Sequence, residues 1–146
     1  ELEARILAKG VNLKKGAKNL LAFLQREGIP IALATSSVES RARMILDSNG
    51  ILSLFDHLVF AKDVKRSKPY PDIFLKACSD LNVLPENCLV LEDSEAGIEA
   101  ASRAGIPVIC IPDLKIPAQS FLNKTEQVFQ DLDAVRDYLE SKKENQ

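Results

Sequence analysis

The residues whose types and spacing could do chemistry fall in three short runs: Thr35-Ser36-Ser37, Lys68, and Glu92-Asp93. Hydroxyls and free backbone N–H groups at the start of a helix make an anion site, because the helix dipole and the unpaired donors both favour negative charge. A plain helix cap would account for Ser36 alone, since Ser36 and Glu39 also have the spacing of a capping box. Lys62, Lys65 and Arg66 read as solvated loop charges. Lys68 differs because Pro69 and Pro71 stiffen its surroundings. An ammonium fixed in that way can neutralise a phosphoryl group and a nearby carboxylate together. Adjacent acids repel, so Glu92-Asp93 makes most sense with a hard cation between the pair and a substrate. Magnesium accepts one or two carboxylates, several waters and a phosphate oxygen. Taken alone, the pair could equally be an acidic first turn facing a helix dipole.

The elements that must position these residues are legible as two alternating periods. Apolar runs at Ile31–Ala34, His57–Phe60, Cys88–Leu91 and Pro107–Ile111, with a short one at Gln127–Phe129, read as strands. Between them lie helical patterns over Leu13–Glu27, from Ser36 to about Asn49, from Pro71 through Phe74, Leu75, Cys78 and Leu81, over Glu95–Arg103, and over Leu132–Leu139. Strands that are apolar throughout, alternating with amphipathic helices, predict a doubly wound, mostly parallel α/β sheet covered on both faces. Ligands of such sheets bind at the carboxyl ends of the strands. Hydroxyl, lysine and acidic pair each follow a successive strand, which together make a phosphate site with its countercharge and its metal.

Composition bounds the alternatives. The 146 residues are 46% hydrophobic and 27% charged, enough for one ordinary domain with a real core. Nineteen basic against 21 acidic side chains give a net charge of −2, which argues against a nucleic-acid surface. No apolar run approaches the roughly 20 residues that span a bilayer. Cys78, Cys88 and Cys110 have no metal-ligand spacing and read as reduced, buried thiols of a cytoplasmic protein. No Gly-rich phosphate loop follows any strand, so a generic nucleotide-binding domain lacks support.

The runs Ile31-Ala-Leu-Ala-Thr-Ser-Ser37, Ser67-Lys-Pro-Tyr-Pro-Asp-Ile-Phe74 and Leu89-Val-Leu-Glu-Asp-Ser-Glu-Ala-Gly-Ile-Glu-Ala-Ala101 resemble the second, third and fourth motifs of the haloacid dehalogenase superfamily. More narrowly, they are similar to its β-phosphoglucomutase-like branch of phosphatases and mutases. The resemblance runs from about Lys14 to Leu139 and implies a Rossmann-like core domain over 13–146. It also implies roles. Thr35 and the Ser36 backbone would hold the transferring phosphoryl group, with Ser37 nearer the substrate. Lys68 would bridge phosphoryl oxygens and nucleophile. Glu92 and Asp93 would hold Mg2+, Asp93 the more directly, and Gly97 would let the following helix approach the sheet.

The sequence departs from that family in one respect. The first motif, Asp-x-Asp-Gly at the end of a central strand, is absent. In the family its first aspartate forms an aspartyl-phosphate and its second serves as acid and base. Residues 1–12 resemble the returning end of a helical cap or linker, so the sheet is expected to lack its first central strand. The segment carrying the nucleophile is expected roughly 80 residues upstream, the room for a strand and a small cap, or on another chain. The implied function is magnesium-dependent hydrolysis of a small phosphorylated metabolite such as a sugar phosphate, with no membrane or nucleic-acid partner. The 146 residues alone would be inactive. The alternative is a noncatalytic remnant that keeps the phosphate pocket as a sensor or interaction module.

Overall fold

The structure, a computed structural model, describes residues 5–7 and 15–144. The chain order is β1 (Arg5–Leu7), α1 (Ala17–Arg26), β2 (Ile31–Thr35), α2 (Glu39–Ser48), β3 (His57–Phe60), α3 (Asp72–Leu81), β4 (Val90–Glu92), α4 (Glu95–Arg103), β5 (Val108–Cys110), α5 (Gln119–Leu122), β6 (Gln127–Val128) and α6 (Leu132–Glu144). The strands form one six-stranded sheet in the order β3-β2-β1-β4-β5-β6, and every neighbouring pair is parallel.

The two faces of the sheet explain why the strands read as continuous apolar runs. Ile31 and Leu33 of β2, with Leu89, Leu91, Ile109 and Ile111, pack against Leu20, Leu21 and Leu24 of α1 and Leu132, Val135 and Leu139 of α6. On the other face Ala32, Ala34, Val59, Val90, Val108 and Cys110 meet Ile73, Phe74, Ala77 and Cys78 of α3 and Ile98, Ala100 and Ala101 of α4. The small side chains Ala32 and Ala34 leave depth for Phe74, which is fully buried. Each large apolar side chain buried in this way contributes about 1.5–3 kcal/mol. Leu75, grouped with the apolar face of its helix on sequence, is exposed, while Ile73 and Ala77 take the inward positions.

Three local expectations change. The central position expected to lack a strand is occupied: β1 pairs in parallel with β2 through Leu7 and Leu33, and with β4 through Leu7 and Leu91. Residues 5–7, assigned on sequence to the tail of a cap, therefore form backbone of the sheet. The physical reason is the ladder itself, because β2 and β4 would otherwise present unpaired N–H and C=O groups in the interior. The remainder of segment 1–12 lies outside the described residues, and Arg5-Ile6-Leu7 brings no aspartate to this position. Second, the helix after β2 starts at Glu39 with Val38 as its cap residue, and no side chain caps it. The expected box between Ser36 and Glu39 does not form, because the helix starts too late for Ser36 to be its cap residue; Glu39 pairs instead with Lys62, at 2.5 Å, and Arg43, at 2.7 Å. Third, the short α5 has no counterpart among the helices expected from sequence.

At the other end of the chain order, Gly16 caps α1 with φ +88°, and a Cβ there would collide with Asp133 at the start of α6. Leu132 N donates to the Lys15 carbonyl at 3.1 Å, so this contact ties the first and last described helices together.

Candidate active site

Strand register sets the site. Thr35 is two residues beyond Leu33 and Glu92 one beyond Leu91, and both of those positions are level with Leu7 of β1. The ends of β2 and β4 therefore flank the end of β1 on the same edge, about 10 Å apart for two strand spacings.

Glu92 is the last residue of β4 and only 2% exposed. Its two carboxylate oxygens have separate partners. Oε1 accepts from Asp93 N at 2.9 Å, Ser94 N at 3.2 Å and Ser94 Oγ at 3.2 Å. Oε2 accepts from Lys68 Nζ at 3.0 Å, across an ion pair whose side chains are 11% exposed on the lysine and 1% on the glutamate. Burial pushes the Glu92 carboxyl up to about 7, against the pull of Lys68 in the opposite direction, and hydrogen bonding with the neighbouring Asp93 side chain adds to the rise. Burial thus outweighs the lysine, and Asp93 acts on Glu92 through a hydrogen bond.

The backbone around this pair is built to admit it. Ser94 caps α4, its Oγ accepting from Gly97 N at 3.1 Å. A Cβ on Gly97 would overlap the Glu92 carboxylate itself. The glycine expected to permit close helix packing thus has a sharper purpose: it leaves the volume that the buried carboxylate fills. On the other side, the Lys68 ammonium lies 5.1 Å from the centre of the Phe74 ring. Phe74 and Ser94 lie within the motif runs, yet neither was given a role on sequence. Ser94 could have been found, since a serine directly before an acidic first turn is a cap signal. The depth of Phe74 beneath the lysine depends on the packing of α3 and has no local signal.

Thr35 is buried, and its Oγ1 accepts from Ser37 N at 3.1 Å, which closes the turn leaving β2. Ser36 and Ser37 line an open cavity of about 650 Å³ that continues past Val38, Glu39 and Arg43 to Phe60 and Lys62. A second cavity, of about 380 Å³, is lined by Asp93, Ser94, Glu95, Asp113, Leu114, Lys115 and Pro117. Asp113 therefore shares a wall with Asp93. The structure directly joins Lys68 and Glu92. It sets Asp93 on the cavity side of the same strand end and leaves Thr35, Ser36 and Ser37 across the central strand.

Lys68 brings an ammonium and the turn after β2 brings the hydroxyls of Ser36 and Ser37, chemistries that each suit an anion. The acidic side offers only hard oxygen donors. Among the described residues no group of three or more His, Cys, Asp or Glu is placed to hold a metal ion. Asp93 lines the neighbouring cavity, and a hard carboxylate donor of that kind fits magnesium, which keeps most of its water. Among the described residues, no helix is long and apolar enough to cross a membrane.

Known proteins carry the same pattern. The chain is 40% identical over 121 residues to the validoxylamine A 7'-phosphate phosphatase of Streptomyces hygroscopicus subsp. limoneus, covering 83% of this chain and 56% of that protein. It is 38% identical over 106 residues to a phosphorylated carbohydrates phosphatase of Thermotoga maritima, covering 73% of this chain and 49% of that protein. Its fold superimposes on the crystal structure of a β-phosphoglucomutase from Clostridium difficile with a TM-score of 0.76 and 30% identity, over 89% of this chain and 56% of that one. The chain thus spans about half the length of the curated relatives it matches. The haloacid dehalogenase-like hydrolase family matches residues 1–111. Carrying that match over most of its length, with Lys68 paired to the Glu92 that ends β4, the chain belongs to the haloacid dehalogenase-like hydrolase family.

Proposed function

We propose that these residues form the phosphate-holding and metal-holding half of a phosphomonoester hydrolase or mutase site, completed by a segment that this sequence does not contain. The observation that carries the reading is the buried Lys68–Glu92 pair at the end of β4, beside Asp93, with Thr35 ending the strand on the other side of β1. A lysine fixed in this way presents its remaining N–H groups to an anion without having to be ordered at the moment of reaction. Thr35 and the backbone N–H of Ser36 take the other side of the phosphoryl group. Glu92 holds the lysine in place and balances its charge. Asp93, with Glu92 behind it, would hold Mg2+, which would supply positive charge to offset that of the transferring group.

The nucleophile is an aspartate outside this sequence, which forms an aspartyl-phosphate, and a second aspartate beside it handles the proton. The two flanking cavities leave room for the leaving group, which we take to be a small phosphorylated metabolite such as a sugar phosphate, by analogy with the relatives' named substrates. The names of the relatives also favour an enzyme over a noncatalytic sensor. The reduced thiols expected on sequence agree with a cytoplasmic setting, and nothing in the charge balance calls for a nucleic-acid partner.

The test joins two proteins. The 146-residue chain should bind inorganic phosphate more tightly with Mg2+ than without, by isothermal titration, yet turn over no phosphomonoester. The longer protein encoded around it should hydrolyse sugar phosphates with Mg2+, and Lys68→Ala or Asp93→Asn should abolish turnover. Magnesium-independent phosphate binding, or full turnover by the short chain, would refute the proposal.

A further inference from the structure

Three buried thiols lie in the sheet face covered by α3 and α4, and the proposed chemistry uses none of them. Two of them touch: Cys78 Sγ on α3 and Cys88 Sγ, just before β4, are 3.3 Å apart. We propose that Cys78 and Cys88 are an oxidisable pair, which closes an intrachain disulfide between α3 and the lead-in to β4 when the protein meets hydrogen peroxide.

The geometry favours this pair. Cys78 donates to Cys88, and Cys88 in turn lies 3.4 Å from the Leu84 carbonyl, so the two sulfurs are aimed at one another and not merely crowded. A disulfide needs about 2.05 Å between sulfurs, so the closing movement is on the order of 1 Å. The segment it would close, 79–87, is a short surface connection: Asn82 takes a left-handed conformation at the end of α3, Leu84 is exposed, and Pro85–Asn87 form a single tight turn.

The reaction balances with one peroxide. One thiol loses its proton and its sulfur attacks the peroxide oxygen, giving a sulfenic acid and water. The second sulfur then displaces the sulfenic oxygen, which leaves as water with the second thiol proton. Two S–H bonds and one O–O bond break, one S–S bond forms, and two waters are released.

Both sulfurs are buried, and the Cys88 thiol together with burial holds the Cys78 thiol far above its ordinary range. Thiolate is therefore scarce in the closed molecule, and oxidation proceeds when segment 79–87 opens. The bond would join the helix that follows Lys68 to the strand that ends in Glu92. It would bind together the two elements that carry the site's charges.

The experiment treats the 146-residue chain with hydrogen peroxide, with and without urea below the unfolding transition. Free thiols are then counted with a maleimide in denaturant, alongside intact mass and melting temperature. The expected result is the loss of two of the three thiols with the mass of two hydrogens, in a monomer, faster with urea and reversed by dithiothreitol. Closing so short a loop removes unfolded-state entropy, so the melting temperature should rise by several degrees. Cys110→Ala should oxidise as the parent does, and Cys78→Ser should keep both remaining thiols free. Three titratable thiols after oxidation in urea, a bond to Cys110 or to a second molecule, or a lowered melting temperature would overturn the proposal.

Discussion

Replacing Lys68 by methionine tests the centre of the site without depending on catalysis. The substitution keeps an apolar stem of similar length and removes the ammonium, which lies 3.0 Å from Glu92 Oε2 and 5.1 Å from the centre of the Phe74 ring. Breaking a buried ion pair by deleting one partner costs about 3–5 kcal/mol, because a charge is left without compensation. Here the low end applies, since Asp93 N, Ser94 N and Ser94 Oγ still donate to Oε1. About 3 kcal/mol in a domain of this size lowers the melting temperature by roughly 6–12 °C.

The pH dependence fixes the sign. The Glu92 carboxyl is raised from 4.5 to about 7, chiefly by burial, so the fold prefers its neutral form. Its contribution to stability is fully present below 4.5 and is lost as pH rises through about 7. Without Lys68 the preference for the neutral acid grows, so the deficit of Lys68→Met should be large at pH 8 and shrink toward pH 5.5. Calorimetry of parent and variant at both pH values reads this directly, and comparison at each pH cancels the titration of other carboxylates. Lys68→Met/Glu92→Gln should recover most of the loss at pH 8. A melting temperature within about 2 °C of the parent at both pH values would refute the view that this pair is a buried, mutually dependent unit.

Three other perturbations separate the remaining parts of the site. Gly97→Ala would gain about 1 kcal/mol from helix propensity at an open position, but the overlap with Glu92 should reverse the sign and lower the melting temperature by several degrees. Asp93→Asn should leave the melting temperature within about 2 °C of the parent, while isothermal titration loses the magnesium dependence of phosphate binding. Thr35→Val keeps the shape of a buried side chain but removes the acceptor of the Ser37 N–H. It should cost about 1–2 kcal/mol by urea denaturation and weaken phosphate binding at least tenfold.

Much of this protein was legible without coordinates, because its local signals agree with one another. The β3 and α4 boundaries expected from sequence coincide with those observed, since Glu95–Arg103 opens with a serine cap and stops at a glycine with φ +74°. The order of hydroxyl, lysine and acidic pair at successive strand ends follows from periodicity alone. The cap expected at Ser36 did not form because the helix starts later, with Val38 as cap residue, and Glu39 pairs instead with Lys62, 23 positions away just past β3, which local spacing cannot contain.

The sequence by itself determined the parallel sheet, its helical layers and the residue types available at its carboxyl edge, because these depend on short-range patterns of polarity. Tertiary structure alone decided how those residues divide the work. Burial at the end of β4, with both oxygens occupied, makes Glu92 the partner of Lys68 and leaves Asp93 facing the cavity. Only tertiary structure, too, placed residues 5–7 in the central gap, since the demand for a strand there comes from the unpaired backbone of β2 and β4 and not from anything in residues 5–7 themselves.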